Sequence, residues 1–240
     1  MRLTAQEPGA VWARDSLQLA PGAALTELGA FRQGHFHVQD PASTLVTQYA
    51  AFPAGATVAD LCAAPGGKAL ELSRTAAVVY AGDRSYARLQ RVRANLRRLA
   101  VDNVIPFVGD AREPAVGAVD ALLLDAPCTG TGTFRRHPDA RWRLKASDMS
   151  VMPVLQRQIL RAASQVVKPG GLLVYSTCSV EPEENDAPVD DFLAAHAEWT
   201  LEPPPAGTVP DAVLDGGRLR VLPQRHGVDG AFAVRLRRAR

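Results

Sequence analysis

Residues 121–138 read ALLLDAPCTGTGTFRRHP, and this stretch decides the fold. Four apolar residues, Ala121 to Leu124, predict a strand buried on both faces, the pattern of a parallel sheet. The run stops at Asp125-Ala126-Pro127-Cys128. Pro127 has no N–H for a ladder and ends the strand, and Gly130 and Gly132 open the following loop to tight turns. An acid and a thiol therefore stand at the carboxyl end of a parallel strand, the edge at which open α/β sheets bind ligands. Taken alone, the pair reads equally well as an inert buried cysteine beside a helix-capping aspartate.

The flanking sequence repeats the pattern. From residue 57 onward, strand, glycine or acid, and helix follow one another. Strands are predicted at 57–61, 78–81, 104–108, 121–124 and 172–175. Helices are predicted at 68–75, 85–99 and 152–167, the second with Leu89, Val92, Leu96 and Leu99 on one face and the third closed by Pro169-Gly170-Gly171. Strands separated by single helices make βαβ units, hence an α/β fold with a doubly wound, mostly parallel sheet. The tail differs: strands at 218–222 and 231–236 predict an antiparallel C-terminal edge. Upstream, residues 1–40 read as a short lead-in with turn marks at Pro8-Gly9 and Pro21-Gly22, and 41–240 as one domain. Phe36 and Val38 alternate with polar residues and predict a short strand. Asp40 caps a helix begun by Pro41 and striped by Leu45, Val46 and Tyr49.

Composition excludes several classes. The 240 residues are 47% hydrophobic and carry a formal net charge of +2, so the chain can bury a core and is only mildly basic. Cys62, Cys128 and Cys178 are odd in number and scattered. That argues against a disulfide framework and, without a C-x-x-C pair, against structural zinc. His35 and His37 share a strand face, but solvated or hydrogen-bonding histidines explain them more simply than a metal. There is neither a membrane-length apolar run nor a signal-peptide pattern. A soluble cytoplasmic protein without metal is expected.

Four successive predicted strands end in aspartate: Asp60, Asp83, Asp110 and Asp125. One such acid merely caps a helix; four are hard to explain that way. Asp60 opens DLCAAPGGK, whose small residues let a ligand approach the backbone. This is neither the dinucleotide fingerprint nor a phosphate loop. Asp83 suits ribose hydroxyls and Asp110 an adenine amino group, so the set fits an adenosine-bearing ligand without pyrophosphate. The fifth strand ends Tyr175-Ser176-Thr177-Cys178, which brings a second thiol to the edge that holds Cys128 and Asp125. A redox disulfide and a nucleophilic thiol with a helper thiol both satisfy that placement.

The segments VQDPAS, DLCAAPGGK, AGDRS, GDAR, DAPCTGTGTFRRHPD, YSTCSVEPEEN and LPQRHGVDGAF, in this order, resemble the Nop2/Sun (RsmB) family of RNA cytosine-5 methyltransferases from about Gln39 to the C-terminus. The resemblance implies a class I methyltransferase, Rossmann-like fold with S-adenosylmethionine as cofactor. It places the cofactor at Cys62, Ala63, Ala64, Pro65, Gly66, Gly67, Lys68, Asp83, Asp110 and Asp125. It makes Cys178 the nucleophile and Cys128 the thiol that helps product release. Asp125 can then hold the cytosine edge, and Lys68 reads equally well as a catalytic group at the cleft and as an ordinary surface salt bridge. Ala69 and Thr129 depart mildly from the family pattern. The short lead-in leaves no room for the separate RNA-binding domain of many relatives, so a partner protein is one expected means of substrate selection.

RNA is the expected substrate, ribosomal RNA first and tRNA next. The target base must be unpaired or extruded for a thiol to reach it. Arg135, Arg136, Arg141, Arg143 and Lys145, with Trp142 among them, follow the Cys128 loop and form the predicted RNA contact. Arg88, Arg91, Arg93, Arg97 and Arg98 read instead as a solvated helix face. Two other readings compete: a nonenzymatic RNA-binding or ribosome assembly factor with the same fold, and another S-adenosylmethionine enzyme, such as an amino-methyltransferase, that needs no thiol.

Overall fold

A computed structural model describes Leu19, Gly22 and residues 24–240. Pro8, Gly9 and Pro21, expected to mark turns, lie outside the described residues. The helices are α1 (Gly29–Arg32), α2 (Pro41–Ala50), α3 (Gly67–Leu72), α4 (Tyr86–Leu99), α5 (Ala140–Arg143), α6 (Asp148–Gln165), α7 (Asp186–Ala195) and α8 (Pro223–His226). The strands are β1 (Thr57–Asp60), β2 (Val78–Asp83), β3 (Val104–Val108), β4 (Val119–Asp125), β5 (Val167–Thr177), β6 (Trp199–Leu201), β7 (Leu214–Asp215), β8 (Arg218–Val221) and β9 (Ala231–Arg238).

They form one sheet in the order β3-β2-β1-β4-β5-β9-β8-β7, with β6 also paired to β9. The pairs from β3 to β5 are parallel and those of β9 antiparallel, as the tail pattern predicts. Strand order reverses between β1 and β4, which sets the crevice for a ligand at their carboxyl ends. Leu122, Leu123 and Leu124 are fully buried because both faces of the sheet are covered. Leu123 joins the core beneath α2, α3 and α4, and Leu122 and Leu124 join the core beneath α6 and α7. Each such side chain contributes about 2 kcal/mol of transfer free energy.

Several expectations are corrected. Phe36–Val38 forms no strand. The Phe36 carbonyl accepts from the Arg98 guanidinium at 2.9 Å, and the segment pairs with none of the described strands. Arg98 also takes the Phe31 carbonyl at 2.9 Å and stacks 4.0 Å over its ring, so it fastens the lead-in to α4 and is no solvated charge. Pro169-Gly170-Gly171 does not close α6. It lies inside β5, where the register to β4 shifts between Val119 and Ala121. α3 stops at Leu72, and α7 and β6 were not anticipated. The Asp40 cap is present, with Ala42 N–H donating to it at 2.9 Å.

Candidate active site

The carboxyl ends of β1, β2, β4 and β5 lie together at one edge of the sheet. β4 and β5 pair in register with Asp125 opposite Ser176, so Cys128 and Cys178 leave adjacent strands together. Their sulfurs are 3.4 Å apart. Two loops are fastened there by backbone: Gly132 N–H donates to the Cys178 carbonyl at 3.0 Å. Lys68, on α3, reaches across to Asp125 with Nζ 2.7 Å from Oδ2, and the Ser176 hydroxyl donates to Oδ1 at 2.8 Å.

The thiols are not equivalent. The hydrogen bond from Cys128 lowers the Cys178 thiol below its ordinary value; burial and the Asp125 charge oppose this, and the Lys68 charge adds to it. Cys128 is raised well above its ordinary value, first by donating to Cys178 and then by burial. Cys178 is thus the readier of the two to ionise, and Cys128 is placed to donate to it. Burial pushes the Cys62 thiol far up, which keeps it protonated. Burial alone would depress the Lys68 ammonium, but Asp125 overrides this and its pKa ends raised.

The loop after β1 is anchored beside this pair. Ala63 N–H donates to the Gly82 carbonyl at 2.8 Å, and Ala64 N–H to Asp83 Oδ2 at 3.3 Å. Arg88 holds the Ala64 carbonyl at 2.6 Å and faces Asp83 at 3.4 Å, so it too is more than a solvated charge. Gly66 takes φ +106°, and a Cβ there would press on Val92 at 3.2 Å, so the loop lies directly on α4. Asp60 is fully buried at the loop's start, and neither carboxylate oxygen has a well-formed hydrogen bond from a described residue, although the Cys62 N–H lies close enough to act on it. Burial, and then the nearby Asp125 charge, push it up to about 7. Asp110, at the end of β3, is gripped by Arg112 through Nε and Nη2, which hold its carboxyl down to about 2.

A family model described as 16S rRNA methyltransferase RsmB/F matches residues 50–237. The chain belongs to the RsmB/F family. It is 38% identical over 227 residues to the probable ribosomal RNA small subunit methyltransferase B of Synechocystis sp., covering 90% of this chain and 50% of the relative. It is 40% identical over 234 residues to ribosomal RNA small subunit methyltransferase B of Pasteurella multocida, covering 93% and 51%. The chain thus spans about half the length of these curated relatives. NSun6 from Pyrococcus horikoshii, solved with SFG, superposes with TM-score 0.80 at 29% identity, covering 91% of this chain and 57% of that one.

In this RsmB/F chain the expected residues split into three groups. Cys178, Cys128, Asp125 and Lys68 come together, and Cys62 to Gly67, with Asp83, line the adjoining loop. Asp110 stands at the same sheet edge, its carboxylate shared with Arg112. The predicted RNA arginines divide. Arg135 and Arg136 turn inward onto two buried acids: Arg136 Nε lies 2.8 Å from Asp229, and Arg135 lies 3.3 Å from Asp40. Arg141, Arg143 and Lys145 stay at the surface with Trp142, which is 84% exposed. His37 lies 4.0 Å from Glu71 and burial lowers its pKa; among the described residues no group of side chains could hold a metal ion. Nor is any described helix long and apolar enough to cross a membrane. Two residues were missed. Glu184 reads as one solvated acid in an acidic run, and Gln156 as an ordinary helix residue, yet both are fully buried beside the Cys128 loop.

Proposed function

We propose that this chain methylates carbon 5 of a cytosine in RNA, in ribosomal RNA first, through a covalent adduct with Cys178 and with S-adenosylmethionine as cofactor. The observation that carries the reading is the unequal thiol pair, 3.4 Å apart, beside the Lys68–Asp125 ion pair. Enzymes that methylate amino groups have no use for such a pair.

The residues fit the cofactor. The buried Asp60 carboxylate, with no well-formed hydrogen bond from the described residues, suits the cofactor's ammonium, since a buried charge needs a counter-charge. The small residues Ala63 to Gly67 leave room beside it, Asp83 suits the ribose hydroxyls, and Asp110, sharing its carboxylate with Arg112, suits the adenine amino group. When bound, S-adenosylmethionine supplies an electrophilic methyl group to the carbon 5 that Cys178 activates.

Carbon 5 of cytosine is a poor nucleophile. The Cys178 thiolate adds to carbon 6, and the ring electrons shift to make carbon 5 enamine-like; covalent catalysis splits one hard step into easier ones. Asp125 holds the cytosine edge and favours the protonated ring nitrogen, while Lys68 fixes that carboxylate. Loss of the carbon 5 proton then expels the Cys178 thiolate and restores the aromatic ring. Cys128 assists here: once Cys178 is spent in a thioether, Cys128 is free to release its proton to solvent, and its thiolate takes the carbon 5 proton. Arg141, Trp142, Arg143 and Lys145 offer a stacking and phosphate surface for a single strand, and a partner protein can add to substrate selection.

The test uses tritiated S-adenosylmethionine with ribosomal RNA and tRNA from cells lacking this gene. Label should enter 5-methylcytidine of ribosomal RNA. Cys178→Ala should transfer no methyl group, and Cys128→Ala should accumulate a protein–RNA adduct that survives a denaturing gel. Methyl transfer by Cys178→Ala would overturn the mechanism.

A further inference from the structure

Glu184 follows Cys178 by six positions, in a run of acids that should face solvent, yet it is fully buried. Its carboxylate gathers three donors. Thr129 N–H reaches Oε1 at 2.9 Å, the Thr129 hydroxyl is bonded to Oε2, and Gln156 Nε2 reaches Oε1 at 3.1 Å. The same Gln156 amide donates to the Pro127 carbonyl at 2.9 Å. The peptide groups on both sides of Cys128 are therefore tied to one carboxylate. That carboxylate is itself fixed to the Cys178 strand, because the Tyr175 hydroxyl donates to the Glu184 carbonyl at 2.6 Å.

We infer that Glu184, acting with Gln156, is a positioning residue that holds the Cys128 loop so that its thiol donates to Cys178. The inference rests on the thiol chemistry proposed above. A three-donor grip is more than packing needs: apolar residues could fill the same volume without burying a charge, which costs free energy unless it is fully hydrogen-bonded. The grip fixes direction, and direction is what a thiol–thiolate hydrogen bond requires.

The experiment reads thiol titration rather than turnover. Intact protein without RNA is alkylated with iodoacetamide over a range of pH, and the rate at Cys178 is followed by peptide mass spectrometry. The charges facing the pair are Lys68, Asp125, Glu184 and Arg136. Glu184→Gln removes one negative charge, so electrostatics alone would move the Cys178 midpoint to lower pH. Lost positioning takes away the Cys128 hydrogen bond and moves it the other way. Gln156→Leu changes no charge and should also move it upward, by about one pH unit in both variants. Melting temperatures serve as the control for folding. A midpoint that stays or falls in both folded variants overturns the inference. If the midpoints rise but the parent protein methylates no RNA, the positioning role stands and the functional reading fails. If methylation is normal in both variants with unmoved midpoints, the reverse holds.

Discussion

Gly132 and Gly230 meet backbone to backbone. Gly230 N–H donates to the Gly132 carbonyl at 2.8 Å, and a Cβ on either would stand 2.7 Å from the other's Cα. Gly132 also donates to the Cys178 carbonyl, so this contact joins the Cys128 loop, the Cys178 loop and the start of β9. Gly132→Ala would set its methyl 2.6 Å from the Cys178 carbonyl oxygen, and both neighbours are backbone that cannot swing away. Overpacking of this kind costs about 2 kcal/mol, or roughly 4–8 °C in a chain of this size. Methyl transfer should fall further than stability, because the displaced atom belongs to Cys178. Gly117→Ala, where nothing lies within 4 Å of a new Cβ, is the control and should leave the melting temperature unmoved.

Lys68→Met removes the partner of Asp125 and a cation near Cys178. Leaving Asp125 uncompensated in this partly buried pair costs about 1–2 kcal/mol after solvent screening, which thermal or urea unfolding will measure. The Lys68 charge also helps to hold the Cys178 thiol down, so its loss should raise that thiol. The variant should form little adduct at neutral pH and regain part of it in alkali. Activity lost equally at every pH would show that Lys68 serves something other than thiolate formation.

The strand–acid pattern made the parallel half of the sheet legible. Residues such as Leu122 to Leu124 must be apolar on both faces, and Asp60, Asp83, Asp110 and Asp125 follow directly at the strand ends. What escaped depends on distant contacts. Pro169-Gly170-Gly171 carries turn residues, yet β9 and β4 draw it into β5. α7 contains Pro188, and β6 has three residues, so neither shows a strong period. Glu184 lies among acids that mark solvent, and only Thr129 and Gln156, folded over from elsewhere, reveal that it is buried. Asp40 and Asp229 sit 189 positions apart, and no local pattern links them or predicts that Arg135 and Arg136 would serve them.

That last cluster separates structural arginines from those proposed to contact RNA. Arg136 touches both Asp40 and Asp229, which are buried. Arg136→Ala would leave the two acids facing each other with Arg135 alone. Arg136 is nearly half exposed, so solvent screening trims the cost to about 1–2 kcal/mol. Among the described residues Arg143 pairs only with the exposed Asp139, so Arg143→Ala should leave the melting temperature unchanged. It should weaken RNA binding and make the dependence of affinity on salt less steep. Filter binding at several salt concentrations, beside melting curves, distinguishes the two variants. An Arg136→Ala protein that melts normally but loses RNA would reverse the assignment.

Asp60 gives a pH signature. Its carboxyl is raised from 3.8 when free to about 7 in the fold, by burial first. Between those values the folded protein holds a proton that the unfolded chain has released, so stability falls as pH rises through that window and levels off above it. Asp60→Asn cannot ionise and is free of this loss. The difference in unfolding free energy between variant and parent should therefore shift in the variant's favour from acid to neutral pH and stay constant in alkali. Cofactor binding should move oppositely. A neutral amide forfeits a charge-assisted hydrogen bond to the ammonium, and affinity for S-adenosylmethionine should drop on the order of tenfold. Urea unfolding at a series of pH values and calorimetric titration of the cofactor measure the two effects separately. Parallel stability curves would mean that Asp60 is ionised in the cofactor-free fold, which would require a donor at its buried oxygens. Unchanged affinity would move the ammonium site away from β1.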